Sequence, residues 1–214
     1  MAAGPALCEL RDNVGMSLTA STMMELGTEI PSFALPDVRT GKIVRVPEHV
    51  VKSGPILVMF ICRHCPYVIH VQNELARIGR DYAGKLAIIA ISSNDAATVA
   101  ADSPERLKEM AEELGFNFPL CYDETQEVAI GFSAACTPDI FLFDQDRRLA
   151  YRGQLDGSRP GNGVPVDGRD LRAAMDALLK GARPAKEQLP SIGCNIKWKP
   201  GKQPVYYHSA LVKK

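Results

Sequence analysis

The stretch that most constrains this chain is Ile56-Leu57-Val58-Met59-Phe60-Ile61-Cys62-Arg63-His64-Cys65-Pro66-Tyr67-Val68. An unbroken apolar run ends in two cysteines separated by two residues. A run of that length bounded by turn signals reads as a strand buried on both faces. After the second cysteine, Val68, Val71, Leu75, Ile78 and Tyr82 recur at steps of three and four, with Arg77, Arg80 and Asp81 mostly opposite, which predicts an amphipathic helix. The pair therefore falls where a buried strand meets the first turn of a helix. Unpaired backbone N–H groups and the helix dipole favour a thiolate there, so the pair reads as a redox site.

The surrounding chain supplies a frame for that unit. Ile30 to Asp37, the Gly41 turn and Ile43-Val44-Arg45-Val46 predict a hairpin packed on the main domain. Leu86-Ala87-Ile88-Ile89-Ala90-Ile91 is a second buried strand, parallel to the first through a right-handed crossover. Asp102-Ser103-Pro104-Glu105 opens a helix with a capping residue, and Leu107, Met110, Ala111 and Leu114 form its apolar face. A short strand from Phe116 to Cys121 leads to Asp123, which is expected to cap a short helix from Glu124 to Ile130. Ile140-Phe141-Leu142-Phe143 and Leu149-Ala150-Tyr151-Arg152 form an antiparallel hairpin. A long Gly-rich loop from Gly153 to Gly168 follows, and Asp167 is expected to cap a last helix. Residues 1–25 read as a partly disordered leader in which Met16 is a plausible second start. Residues 26–181 form the domain. Residues 182–214 form an arm holding the single tryptophan, Trp198, and are expected to pack on the domain or on a second subunit.

Composition excludes several classes. The chain is 46% hydrophobic and 23% charged, with zero formal net charge and scattered basic residues, so nothing points to nucleic acid or an anionic membrane. No apolar stretch approaches the roughly 20 residues of a bilayer span, and the first residues lack the pattern of a signal peptide, so a cytoplasmic location is expected. The six cysteines are too dispersed for a disulfide-stapled miniprotein.

The order of elements, a strand, C-x-x-C, helix and parallel strand followed by Thr137-Pro138 before a hairpin, resembles the thioredoxin fold: an α/β fold with a central mixed sheet flanked by helices. The resemblance implies a cis proline facing the cysteine pair, which places Thr137 and Pro138 beside Cys62. The leader from Leu26 to Asp37 is similar to the peroxiredoxin branch. His64-Cys65-Pro66-Tyr67-Val68, Tyr151-Arg152-Gly153-Gln154, Ser158-Arg159-Pro160-Gly161-Asn162 and Ser191 to Gly201 resemble a bacterial peroxiredoxin-like, AhpC/TSA-type group. Two departures stand out. Thioredoxins carry Trp before the first cysteine and Gly-Pro within the motif, against Ile61 and Arg63-His64 here. Peroxiredoxins carry Pro-x-x-x-Thr-x-x-Cys, which aligns Cys62 with the threonine and Cys65 with the peroxidatic cysteine.

Thiol–disulfide exchange needs an attacking thiolate and a second thiol that resolves the mixed disulfide. Cys62 is expected to be the exposed nucleophile and Cys65 the resolver, with a redox-active disulfide as the only cofactor and no metal. Arg63 and His64 bring positive charge, so Cys62 is expected to titrate well below the usual thiol value of about 8.5. Competing readings are a thiol peroxidase using Cys65, a metal-binding module using Cys62, Cys65 and a histidine, and an interaction domain without turnover. Cys194 reads either as a third redox cysteine or as a packed thiol, and Cys136 as a small core residue or a neighbour of the pair. Arg152 and Arg159 border the Gly-rich loop, where they would stabilise a thiolate or serve only the surface. Cys8 and Cys121 carry no functional signal. Expected partners are protein or small-molecule disulfides and thiols, hydroperoxides, a thioredoxin-type reductant and a second copy in a homodimer.

Overall fold

The computed structural model describes residues 18–48 and 54–210. Cys8 and Met16 lie outside them. In chain order the elements are β1 (Leu18–Ala20), β2 (Phe33–Pro36), β3 (Ile43–Val46), β4 (Ile56–Phe60), α1 (Pro66–Asp81), β5 (Ala87–Ser92), α2 (Pro104–Glu113), β6 (Leu120–Tyr122), α3 (Glu127–Gly131), β7 (Cys136–Thr137), β8 (Asp139–Phe143), β9 (Leu149–Tyr151), α4 (Arg169–Leu179), β10 (Ile192–Asn195) and α5 (Tyr207–Ala210).

The main sheet runs β6-β5-β4-β8-β9. β4 lies at its centre, parallel to β5 and antiparallel to β8, and all five of its residues are buried. That position explains the continuous apolar run: alternate side chains face two different layers, and neither layer is water. Leu57, Met59 and Ile61 face a core shared with α1, α2 and α4. Ile56, Val58 and Phe60 face a core built from the β2–β3 hairpin, α3 and the tail. At the middle of that second core Phe132 meets Phe33, Phe60, Phe141 and Phe143 edge-on, with centroids 5.4–6.0 Å apart. This is the thioredoxin-like α/β arrangement of a mixed sheet between helical layers.

α1 buries Val68, Val71, Leu75 and Ile78, as its periodicity predicts. It also buries Glu74, which periodicity does not single out. Glu74 Oε1 accepts from Arg172 Nε at 2.7 Å, so a carboxylate–guanidinium pair ties α1 to α4.

Several local expectations change. Ser103 caps α2 by accepting from the Arg106 N–H, which leaves Asp102 free to turn elsewhere. Asp167 is not the N-cap residue of α4, although its Oδ1 accepts the N–H of Arg169, the first helical residue, at 3.1 Å. The cap is Gly168 in a left-handed conformation, and the carboxylate of Asp156, from the Gly-rich loop, accepts the N–H groups of Asp167 and Gly168. The short helix starts at Glu127 rather than Glu124, and Asp123 accepts the Ala129 N–H inside it. Only Leu120–Tyr122 of the strand expected from Phe116 onward is extended.

The leader and the arm contain strands that short, irregular sequence does not announce. β1 pairs with β10, and β10 with β7, in a separate antiparallel sheet ordered β1-β10-β7. Trp198 is buried in the second core and meets Tyr206 edge-on, so the arm packs on its own domain. No helix among the described residues is long and apolar enough to cross a membrane.

Candidate active site

β4 delivers Cys62, Arg63 and His64 at its C-terminal end, and Cys65 is the N-cap residue of α1, with Pro66 in the first helical turn. The Thr137–Pro138 peptide is cis and lies against the pair. Cys62 Sγ is 3.3 Å from Thr137 Oγ1, and the Cys65 thiol donates to the Thr137 carbonyl at 3.1 Å. Cys62, Cys65, Thr137 and Pro138, widely separated in sequence, therefore meet in one place.

Asp102 completes the arrangement. Fully buried, it accepts the backbone N–H of Arg63 at 2.8 Å and of His64 at 3.3 Å through Oδ1. Its Oδ2 lies 2.6 Å from His64 Nδ1 and accepts from Asn94 Nδ2 at 2.7 Å. A Cys62 sulfur, a His64 ring nitrogen and an Asp102 oxygen all fall within 4.8 Å of one another. Asp102 thus fixes the His64 ring beside Cys62, whose own partner is the Thr137 hydroxyl. Asn94 in turn accepts the Lys197 N–H at 2.8 Å, joining this network to the tail.

The electrostatics reverse one sequence expectation. Cys62 is neither exposed nor easily ionised: at 0% exposure, burial raises its thiol well above the usual value, aided by proton sharing with Cys65 and by the Asp102 carboxylate. The charge expected from Arg63 is spent elsewhere, on the Arg106 carbonyl at 2.8 Å and on Glu109 and Glu113 of α2. Cys65 is also buried, which alone would raise it. That effect is outweighed by the neighbouring Cys194 and Cys62 sulfurs, by Thr137 and by the Val68 N–H, which together hold the Cys65 thiol below its usual value.

The remaining candidates divide clearly. Cys194 lies opposite Thr137 on β10 and shares the core that Cys62 and Cys65 line. Cys136 is buried with its thiol on the carbonyls of Pro138 and Ser191, and burial raises it. Cys121 lies in the other core, raised to about 12 by burial. Arg159 is engaged by the Asp156 and Ser158 carbonyls and by Gln154, and Arg152 by Gln188, so neither guanidinium serves the pair. Sequence reasoning missed Asp102 and Asn94. The available signal was the polar loop after β5, since strand ends next to a C-terminal site commonly supply its polar groups.

The AhpC/TSA family model matches residues 26–152, more than half of the chain. The chain belongs to the AhpC/TSA family. Membership supports a thiol-based redox function. Among solved structures, this AhpC/TSA member is similar to an uncharacterized conserved protein from Geobacillus kaustophilus, at 53% identity and a TM-score of 0.84, covering 88% of this chain and 100% of that one. It is similar to a hypothetical protein from Sinorhizobium meliloti 1021 at 47% identity and a TM-score of 0.83, covering 86% and 100%. The peroxidoxin BcpB of Mycobacterium tuberculosis shares the fold at 19% identity and a TM-score of 0.54, covering 75% and 99%. No curated protein matches the chain.

Proposed function

We propose that this AhpC/TSA protein is a thiol–disulfide oxidoreductase in which Cys62 exchanges with substrate and Cys65 closes the internal disulfide. The observation that carries the reading is the placement of both sulfurs on Thr137, at 3.3 and 3.1 Å, with the Cys65 thiol held below its usual value. A stable Cys65 thiolate is a good leaving group, so a substrate thiol attacking Cys62 of the oxidised pair expels it readily. In the reverse direction Cys62 attacks a substrate disulfide, His64 takes its proton, and Cys65 resolves. Protein or small-molecule disulfides, a thioredoxin-type reductant, a redox-active disulfide as sole cofactor and a cytoplasmic setting complete the proposal.

A second reading, a thiol peroxidase using Cys65, is favoured by the same thiolate. A reading from another class, a metal-binding module, is favoured by the Cys62, His64 and Asp102 donors within 4.8 Å. One set of measurements separates the three: turnover with glutathione disulfide and with hydroperoxide in Cys62→Ser and Cys65→Ser, together with the metal content of the purified protein. The oxidoreductase reading expects both variants to lose disulfide turnover. Hydroperoxide turnover that survives Cys62→Ser but not Cys65→Ser would favour the peroxidase, and stoichiometric metal with no turnover the binding module.

A further inference from the structure

We propose that Cys194 is a third redox thiol of the site, exchanging into the Cys62–Cys65 disulfide to move the bond inward to Cys65–Cys194. The inference rests on the oxidoreductase reading and deepens it.

The geometry begins with a glycine. A Cβ on Gly193 would lie 2.0 Å from the Thr137 carbonyl oxygen and 2.8 Å from its carbon, so only glycine lets β10 come this close to the cis-proline loop. That approach fixes the register in which Cys194 stands opposite Thr137. Residues paired across an antiparallel ladder share a face of the sheet, and their neighbours point the other way. Thr137 directs its hydroxyl at Cys62, so Cys194 is on the Cys62 and Cys65 side, and all three cysteines line the same core. Cys136 is one residue away and on the opposite face, with its thiol on the carbonyls of Pro138 and Ser191. The register thus selects Cys194 over Cys136, and sets Cys194 opposite the residue whose carbonyl takes the Cys65 thiol, in the core that Cys65 lines.

The step needs no outside oxidant beyond the substrate disulfide that first oxidised the pair. Cys194 attacks Cys65 Sγ as its thiol, which Cys65 and burial hold above the usual value, gives up its proton. A Cys65–Cys194 bond forms as the Cys62–Cys65 bond breaks, and Cys62 leaves as a thiolate that takes up the proton Cys194 released. The two-electron oxidation is kept, and Cys62 becomes a free thiol while the protein remains oxidised.

The test treats the full-length Cys62→Ser variant with diamide, counts thiols under denaturing conditions and maps linked peptides, with wild type and Cys62→Ala in parallel. Six cysteines become five in the variants, and three free thiols with a Cys65–Cys194 peptide are expected. Wild type is expected to show Cys62–Cys65 together with a fraction of Cys65–Cys194. If wild type forms Cys62–Cys65 but both variants keep five thiols, or link Cys65 to Cys136 or to another chain, the Cys194 role is wrong and the oxidoreductase reading stands. If wild type forms no Cys62–Cys65 bond, that reading falls and the exchange falls with it.

Discussion

Asp102→Asn separates two opposed roles of one carboxylate. The substitution keeps the shape and leaves Oδ1 to accept the Arg63 and His64 N–H groups, but it places an amide where Oδ2 met His64 Nδ1 at 2.6 Å and Asn94 Nδ2 at 2.7 Å. The Asn94 amide then faces another donor, and His64 is held, if at all, with its ring proton on the other nitrogen. Two hydrogen bonds to a buried charge at roughly 1.5–3 kcal/mol each put the loss of stability at about 4 kcal/mol. For a chain of this size that is on the order of 10 °C in melting temperature. The chemistry shifts in two directions. Removing a charge that repels the Cys62 thiolate makes Cys62 ionise at lower pH, whereas losing the oriented base removes a contribution of order 100-fold in rate. Labelling of the Cys62 peptide by an aromatic disulfide, followed across pH, reads both. The expected result is an earlier onset with a slower rate at neutral pH, by roughly 100-fold. A neutral-pH rate equal to or above wild type would refute the base assignment, leaving Asp102 as an electrostatic brake and a structural pin.

Other outcomes follow from packing and burial. Burial holds the Asp139 carboxyl up at about 7, and its Oδ1 has no hydrogen-bond partner. A group raised in the folded state gives stability that is full below about pH 4 and lost as pH rises through about 7, a change of about 4 kcal/mol. Asp139→Asn should abolish that decline in urea melts at about pH 4 and pH 8, and parallel curves for the two proteins would contradict the assignment. Phe132→Ala empties the centre of the aromatic cluster and should cost about 3–5 kcal/mol by denaturant titration. Gly193→Ala forces β10 off the Thr137 carbonyl and should cost at least about 2 kcal/mol, with the Cys65–Cys194 peptide lost from oxidised samples.

What could be read in the sequence was what repeats or stands in order. The six-residue apolar run, the helix spacing of Val68 to Ile78 and the C-x-x-C at their junction are local, and local periodicity follows from burial on a regular element. The contact of Cys62 with Thr137 spans 75 positions and came from resemblance alone. Asp102 was legible only as part of a helix start, because the residue that caps and the residue that turns inward are adjacent and both suit a cap. β1 and β10 have three and four residues, too few for alternation to show, and their pairing is decided by tertiary contacts. The raised Cys62 thiol was misread for a related reason. Arg63 is next to it in sequence, but the partners that draw its guanidinium away are on α2.

The small sheet β1-β10-β7 divides the molecule along an unexpected line. The segment matched to the family, 26–152, carries both motif cysteines and the cis proline but ends before β10 and begins after β1. A chain trimmed to that segment would keep the shared chemistry yet lose the strand opposite Thr137, the Lys197 clasp on Asn94 and the third sulfur. The structural relatives from Geobacillus kaustophilus and Sinorhizobium meliloti 1021 cover 88% and 86% of the chain, so the likeness to them extends well beyond that segment. The wrapping around it is therefore part of the site: β10 stands on Thr137 and the Lys197 N–H on Asn94, so changes in residues 192–197 should be felt at the cysteine pair.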